Sequence, residues 1–355
     1  QSYRDLPLLL NQWCNVVRWE MRTRLLLRTS EFLWQEGHTA HATEAEAFEE
    51  ALRMLEIYRE VAEDELAMPV LAGRKSASER FPGALETFPI EALMRDGKAL
   101  QAGTSHFLGQ NFAKAYDVRF LDAQGRLQYA WATSWGVSAR IVGGLVMTHG
   151  DDRGLRLPPR VAPIQVVIIP IYSTDGDTGA VLEAATRVRD ALSARSVRVK
   201  IDERDHYRPG FKFADWELKG VPLRVEIGPK DVATDQVVIA NRVTAEKTSM
   251  STSRFVEAAA SLLNDLQRAL FADALAYRDA NLREVDSYDI LRDGLIERGG
   301  FWVAPWCGDL ECEQKVSGET KATIRVLPLV QEDPGARCVV CGKPGRERAT
   351  WAKSY

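Results

Sequence analysis

Val17-Arg18-Trp19-Glu20, followed after a short interval by Arg28-Thr29-Ser30-Glu31-Phe32, is the stretch on which the reading of this chain turns. Placed on a strand, Arg18 and Glu20 project to one face, because successive side chains alternate. A guanidinium and a carboxylate side by side can grip a phosphate and a base or amine together. Arg28, on the strand that returns after a loop, comes within reach of the same ligand, and Phe32 offers a flat face to a purine. Taken alone, the same pattern also describes a surface ladder of salt bridges.

Outward from this stretch lie further clusters of chemistry-bearing residues. Leu33-Trp34-Gln35-Glu36-Gly37-His38-Thr39-Ala40-His41 reads equally as a polar pocket wall and as a packed core with satisfied polar groups. Gln101-Ala102-Gly103-Thr104-Ser105-His106 combines small residues, which permit close backbone approach, with hydrogen-bonding ends. Thr133-Ser134-Trp135-Gly136-Val137-Ser138-Ala139-Arg140 predicts a strand running into a helix with Arg140 in its first turn, where phosphate is already favoured. His149-Gly150-Asp151-Asp152-Arg153-Gly154 reads as a helix end and turn, not as a metal site.

The chain has 355 residues, 45% hydrophobic and 27% charged, enough for several buried cores. No apolar run approaches the roughly 20 residues of a membrane span. Its net charge of −4 does not advertise a nucleic-acid partner, so any RNA surface has to be a local basic patch. It opens at Gln1 without an initiator Met or a signal-peptide pattern and reads as the middle of a longer sequence with upstream residues missing.

Three blocks follow from composition and periodicity. Residues 1–159 carry strand-like segments around 16–20, 25–35, 99–103, 115–122 and 127–135. They also carry a helix opened by a Thr43/Glu46 capping box, with Phe48, Leu52, Leu55, Tyr58 and Ala62 at helical spacing, and a second helix at 138–147. Neighbouring strands with few intervening helices predict an antiparallel sheet. Residues 160–265, beyond Leu157-Pro158-Pro159, alternate strands and helices and predict a small α/β domain with a mainly parallel sheet. A long helix at about 253–282 leads into residues 266–355, a small α+β domain holding Cys307-x4-Cys312 and Cys338-x2-Cys341. Four thiolates in two close pairs suit structural, tetrahedral Zn²⁺, and Gly308 and Gly342 favour tight knuckles there. Cysteine usage of this kind fits a reducing cytoplasm. In the α/β block, 212–230 interleaves basic and aromatic residues as single-stranded RNA bases require, while also describing a solvated amphipathic helix and strand.

The Arg18-Trp19-Glu20 … Arg28 … Phe32 pattern resembles motif 2 of class II aminoacyl-tRNA synthetases, and 133–140 resembles motif 3. Trp34, 101–112, the 212–230 segment and the cysteines resemble the prolyl-tRNA synthetases in particular, over essentially the whole chain and in the archaeal/eukaryote-like type. The resemblance implies an antiparallel class II core (1–159), an anticodon-binding domain (160–265) and a zinc-binding C-terminal domain (266–355). It implies ligation of L-proline to tRNA(Pro) through a prolyl-adenylate, with ATP and Mg²⁺, in a cytoplasmic homodimer. By resemblance, Arg18, Glu20, Arg28, Phe32, Gln101, Thr104, Ser138 and Arg140 bind ATP. Arg18, Trp34, Glu36, His38, His106, Ser134 and Gly136 line the proline pocket. Lys212, Glu217 and Arg224 meet the anticodon, and Cys307, Cys312, Cys338 and Cys341 hold zinc. Arg18 and Arg140 carry the chemistry. The stretch between the two motifs is too short for the large editing insertion of the bacterial type, and motif 1 and the Thr-x-Glu proline-binding segment are absent. The rival readings are a non-catalytic synthetase-like RNA-binding or regulatory protein and a zinc-ribbon nucleic-acid reader.

Overall fold

A computed structural model describes residues 2–172, 178–330 and 334–355. The chain forms two compact units, one of Gln1–Asp64, Met68–Thr148 and Leu275–Tyr355, the other of Glu65–Ala67 and His149–Ala274.

In the first unit, β1 (Leu8–Val17) and β2 (Glu31–His41) form a long hairpin, followed by α1 (Glu44–Glu60), β3 (Val70–Ala72), β4 (Glu86–Leu93), β5 (Ala99–Gly109), a short α2 (Asn111–Ala115), β6 (Arg119–Leu121), β7 (Leu127–Tyr129), β8 (Trp131–Ser138) and α3 (Arg140–His149). The main sheet runs β1-β2-β8-β5-β4-β3 and every pair is antiparallel, as the sequence predicts. The Thr43/Glu46 capping box opens α1. Its Ala47, Ala51 and Leu55 are buried, and the two small alanines let the helix come close enough for the Ser105 hydroxyl to donate to the Ala51 carbonyl at 2.7 Å.

Several predicted elements shift. Residues 115–122 give the end of α2 and a three-residue strand that pairs with β7 apart from the main sheet. The predicted 127–135 strand breaks at Ala130, and α3 begins at Arg140 rather than Ser138. Strand β4 goes unnoticed in the sequence because Pro89 and Glu91 argue against a buried strand. Glu91 is nevertheless fully buried, since Lys75 Nζ and Arg325 Nη2 each meet it at 2.8 Å.

The end of the chain belongs to the same unit. After the long helix, β14 (Leu282–Glu284), β15 (Phe301–Trp306), β16 (Thr323–Val326) and β17 (Glu347–Ala352) form a sheet of order β14-β15-β17-β16, with α8 (Tyr288–Glu297) and α9 (Leu310–Thr320) between its strands in sequence and Trp302, Trp306 and Trp351 in its core. Reciprocal backbone bonds between Arg74 and Leu327 at 2.8 Å, an Arg74–Glu347 ion pair at 2.6 Å and the Lys75–Glu91–Arg325 triad fasten this sheet to the core.

The second unit contains β9 (Val166–Pro170), α4 (Thr178–Ser193), β10 (Val199–Ile201), α5 (Pro209–Leu218), β11 (Leu223–Ile227), α6 (Pro229–Ala233), β12 (Gln236–Asn241), β13 (Lys247–Ser251) and most of α7 (Thr252–Ala280). Strands β10, β9 and β11 are parallel, but β12 and β13 continue the sheet antiparallel, so it is mixed rather than mainly parallel. Polar Lys247-Thr248-Ser249-Met250-Ser251 gives no strand signal; it forms an edge, where burial on both faces is not required.

Candidate active site

The predicted strand placement of Arg18, Glu20 and Arg28 is incorrect, although their convergence is not. Strand β1 ends at Val17, with one further backbone bond from Arg18 N to Ser30 O at 2.9 Å. Beyond it the chain makes a loop closed by mutual backbone bonds between Arg24 and Arg28, with Leu26 at a φ of 60°. Leu27 is buried against α3, where a Cβ on Gly143 would come within 2.9 Å of it, and its carbonyl accepts from Arg140 Nε at 2.9 Å. A continuous strand would carry Arg28 away along its axis; the buried Leu27 folds the tip back instead. Arg18, Glu20, Arg28 and Arg140 thus line one small cavity, with Arg28 Nη1 3.8 Å from Glu20.

Alternation along β2 sends Gln35, Thr39 and His41 into the core, Gln35 accepting from the Tyr58 hydroxyl at 2.7 Å. The opposite face presents Phe32, Trp34, Glu36 and His38 to an open cavity of about 510 Å³. Register then brings distant segments level across the sheet. Trp34 pairs with Ser138; Glu36 lies beside Gly136, which lies beside Thr104; His38 lies beside Ser134, which lies beside His106. Gly136, lacking a side chain, leaves the floor low between Glu36 and Thr104. Gly37 is required from beneath, since a Cβ there would stand 2.0 Å from the Trp135 ring.

These side chains hold one another. The Arg18 guanidinium lies 4.9 Å over the Phe32 ring, and Phe32 meets Trp34 edge-on at 5.8 Å. Trp34 Nε1 stands 2.8 Å from Cys14 Sγ. Glu36 accepts from Gln12 and lies 3.3 Å from His38 Nε2. Gln101 donates to the Thr104 hydroxyl. Burial lowers the His106 imidazole to about 4, so the ring is neutral near pH 7, with Nδ1 3.0 Å from the Thr87 hydroxyl.

Among the described residues neither Arg18 nor Arg140 has a carboxylate within ion-pair distance. The Arg140 pKa is pushed down, first by burial and then by repulsion from Arg28 and Arg18. Guanidinium groups left without counter-charges around one cavity are arranged to receive a polyanion. The sequence did not point to the segment 79–87, which supplies Glu79, Arg80, Phe81 and Thr87 to the cavity wall. Phe81 lies 4.8 Å from His106 ring to ring, and its N–H donates to Thr87 Oγ1 at 3.1 Å. Pro82-Gly83 signals a turn there, but not where the turn lands.

In the second unit Glu217 and Arg224 line a separate cavity of about 200 Å³ with Arg153, Arg242 and Lys247. Here the cations are paired: Arg153–Glu217 at 2.9 Å, Arg224–Glu226 at 3.0 Å, Lys247–Glu226 at 2.8 Å and Arg242–Asp151 at 2.6 Å. Arg224 also covers the Phe213 ring at 4.3 Å. Lys212 does not join them; it is 4% exposed and its ammonium donates to the Asp202 carbonyl at 3.0 Å. Asp151, from the turn to which no chemistry was assigned, proves to be the partner of Arg242.

The sulfurs of Cys307, Cys312, Cys338 and Cys341 lie within 4.8 Å of one another, with Cys307 3.6 Å from Cys312 and 3.7 Å from Cys341. Sulfurs around tetrahedral Zn²⁺ at about 2.3 Å stand roughly 3.8 Å apart, so the donor set fits the metal with no position left open. Gly308 and Gly342 take φ of 88° and 71°, the left-handed turns that let the knuckles close.

Comparison with known proteins bears on the same geometry. Residues 1–149 match the family described as "tRNA synthetase class II core domain (G, H, P, S and T)", residues 165–262 the "Anticodon binding domain", and residues 292–355 "Prolyl-tRNA synthetase, C-terminal". The proline--tRNA ligase of Amoebophilus asiaticus is 54% identical over 356 residues, covering 100% of this chain and 72% of that protein. That of Chloroflexus aurantiacus is 54% identical over 359 residues, covering 100% of this chain and 74% of that protein. The crystal structure of the Cryptosporidium parvum prolyl-tRNA synthetase, complexed with L-proline and AMP, superposes with a TM-score of 0.96 at 41% identity, covering 100% of this chain and 74% of that chain.

Proposed function

The chain belongs to the prolyl-tRNA synthetases, and from that membership we propose that it ligates L-proline to tRNA(Pro) with ATP through a prolyl-adenylate. The observation that carries the assignment is the meeting of Arg18 and Arg140 over a floor made by the rows Trp34–Ser138, Glu36–Gly136–Thr104 and His38–Ser134–His106. Proline lies on the small-residue floor at Ser134 and Gly136, walled by Trp34 and His106, with Glu36 and His38 at its polar end. Neutral His106 suits that wall, because a charged imidazole there would repel the secondary ammonium. Phe32 stacks on adenine, and Gln101, Thr104 and Ser138 supply polar contacts to the nucleotide.

A carboxylate oxygen of proline attacks the α-phosphorus of ATP in line. The new P–O bond forms as the bond to the β-phosphate's bridging oxygen breaks, and pyrophosphate departs with that electron pair. Catalysis here is positioning and charge neutralisation. Arg18 faces the charge developing at the α-phosphate, while Arg28 and Arg140 face the leaving diphosphate. Glu20, Glu36 and Glu79 are the carboxylates lining the cavities with these arginines; of these, Glu20 and Glu79 would hold Mg²⁺, which would neutralise further charge on the triphosphate. The ribose hydroxyl at the tRNA 3′ end then attacks the prolyl carbonyl; the ester C–O bond forms as the bond from that carbon to the phosphate oxygen breaks, AMP leaves with the electron pair, and the hydroxyl proton is lost to solvent.

Residues 1–159, 160–265 and 266–355 serve as catalytic, anticodon-binding and C-terminal zinc domains. Glu217 and Arg224 present paired, partly shielded charges suited to base edges, and Lys212 supports the fold beneath them. The four cysteines hold structural Zn²⁺. A homodimer fits the exposed apolar edge at Leu9, Leu10, Trp13 and Val17. No helix among the described residues is long and apolar enough to cross a membrane, and a cytoplasmic site fits an enzyme that serves the tRNA pool. Replacing Arg18 with Ala in the complete protein is expected to lower proline-dependent ATP–pyrophosphate exchange about 10²–10³-fold. Near-normal exchange would refute the assignment.

A further inference from the structure

Thr87 stands on β4 directly opposite His106 on β5, and both residues line the main cavity. Its neighbour Phe88 turns to the other face of the sheet and is 1% exposed, as alternation requires. Thr87 itself is only 2% exposed, so its hydroxyl has to find its partners within the protein. Two lie within reach. The Phe81 N–H donates to Thr87 Oγ1 at 3.1 Å, and His106 Nδ1 lies 3.0 Å from the same oxygen.

These two contacts fix where the protons lie. A threonine hydroxyl has one proton to give and lone pairs with which to receive. The Phe81 amide occupies a lone pair, which leaves the hydroxyl proton in need of an acceptor. Among the described residues His106 Nδ1 is the acceptor it has. Were Nδ1 protonated instead, Oγ1 would receive twice and its own proton would be buried without a partner, a costly arrangement. Thr87 therefore donates to Nδ1, and the single proton of the neutral imidazole sits on Nε2. The Phe81 ring, 4.8 Å away and tilted by 36°, lies against the imidazole and limits its rotation. Nε2 has no protein partner among the described residues and is not sealed from solvent. One N–H donor is thus presented to the space where the ligand lies.

The chemistry of proline decides what that donor meets. At neutral pH its secondary ammonium is a donor and its ring is hydrocarbon, so its acceptors are the carboxylate oxygens. We propose that Thr87 is a positioning residue for proline, holding His106 as the Nε2–H tautomer that donates to the carboxylate oxygen not attacking ATP. The inference rests on the ligase reading above. Arg18 and Nε2–H together engage the carboxylate and leave the ammonium to Glu36, so the pocket tells one end of the amino acid from the other. Segment 79–87 takes part through its backbone, because the Phe81 N–H is what turns the Thr87 proton toward the imidazole. As the other carboxylate oxygen bonds to phosphorus, the held oxygen becomes the carbonyl of the adenylate and loses charge. The contact therefore serves binding, and KM for proline rather than kcat reports it.

The tautomer is read directly from the nitrogen NMR spectrum of the complete protein labelled in its histidine rings. The His106 signals are identified by their absence in His106→Gln. A bare Nδ1 and a protonated Nε2 are expected, and the reverse overturns the proposal. In Thr87→Val, which keeps the side-chain shape without the hydroxyl, the two signals should move towards each other; unmoved signals overturn the part given to Thr87. Proline-dependent ATP–pyrophosphate exchange supplies the second measure. Thr87→Val is expected to raise the KM for proline about tenfold, the loss of one hydrogen bond to a charged group, with kcat and the KM for ATP within about twofold. Thr87→Ser, which restores the hydroxyl, should keep the proline KM within about twofold of the unaltered protein. A proline KM unmoved in Thr87→Val, or raised as far in Thr87→Ser, also overturns the proposal. Absence of proline-dependent exchange in the unaltered protein would defeat the ligase reading itself, whereas exchange with a reversed tautomer defeats this inference alone.

Discussion

The two units use arginine in opposite ways. Around the main cavity, Arg18 and Arg140 face open space without carboxylate partners among the described residues, one resting on an aromatic ring and the other on a backbone carbonyl. In the second unit, Arg153, Arg224 and Arg242 are each neutralised by Glu217, Glu226 or Asp151. Charge compensation, rather than arginine content, distinguishes the proposed polyanion site from the proposed site for base edges. An unpaired guanidinium in a half-buried cleft gains most when a phosphate supplies the missing charge. A guanidinium already paired gains little from phosphate, but its fixed orientation lets it discriminate between hydrogen-bonding edges.

Exchanging the roles experimentally is the strongest way to break this contrast. Arg140→Ala is expected to depress proline-dependent pyrophosphate exchange about 10²–10³-fold, because it removes a preorganised cation from the departing charge. Arg224→Ala should leave exchange within about twofold while lowering kcat/KM for tRNA charging about tenfold. If Arg224→Ala impaired exchange as deeply as Arg140→Ala, the division of labour between the units would fail.

A smaller effect sharpens the contrast through acid stability. His106 titrates at about 4 in the folded core against an ordinary 6.5, so the unfolded chain takes up the proton first as pH falls. Stability associated with neutral His106 is therefore full above about 6.5 and is lost progressively down to about 4. Asp151 is held at about 2, chiefly by its hydrogen bonds from Arg242, against an ordinary 3.8. Its contribution is present above 3.8 and is lost as pH falls through 2. Denaturant midpoints measured against pH should show the upper window flattened in His106→Gln and the lower window flattened in Asp151→Asn. The opposite pattern would show that these groups do not set the two windows.

Much of the site was legible because its residue types are demanding. Arg18, Phe32, Trp34, His106 and Arg140 stand at spacings that few other chemistries require, and each reaches the cavity walls. The local route was misjudged at Arg28: alternation predicts a returning strand, whereas a buried Leu27 and a left-handed Leu26 make a folded tip. Strand β4 was illegible because a carboxylate in its centre is tolerable only beside Lys75 and Arg325, and Arg325 lies far along the chain. Lys212 shows the converse. Its place among aromatic and basic neighbours suggested an RNA contact, but the fold turns its ammonium inward to a backbone carbonyl.

The sequence by itself determined the family, the antiparallel core, the capped helix α1, the alternating second unit and the four-sulfur cluster. These depend on periodicity, turn chemistry and close spacing, all of which are local. Only the tertiary structure decided that Glu36, Gly136 and Thr104 stand in one row, that segment 79–87 closes the pocket, and that Arg325 reaches the neighbourhood of Arg28 and Arg140. Strand register and domain packing set those juxtapositions, and both arise from burial and pairing between segments whose separation along the chain carries no signal of their contact.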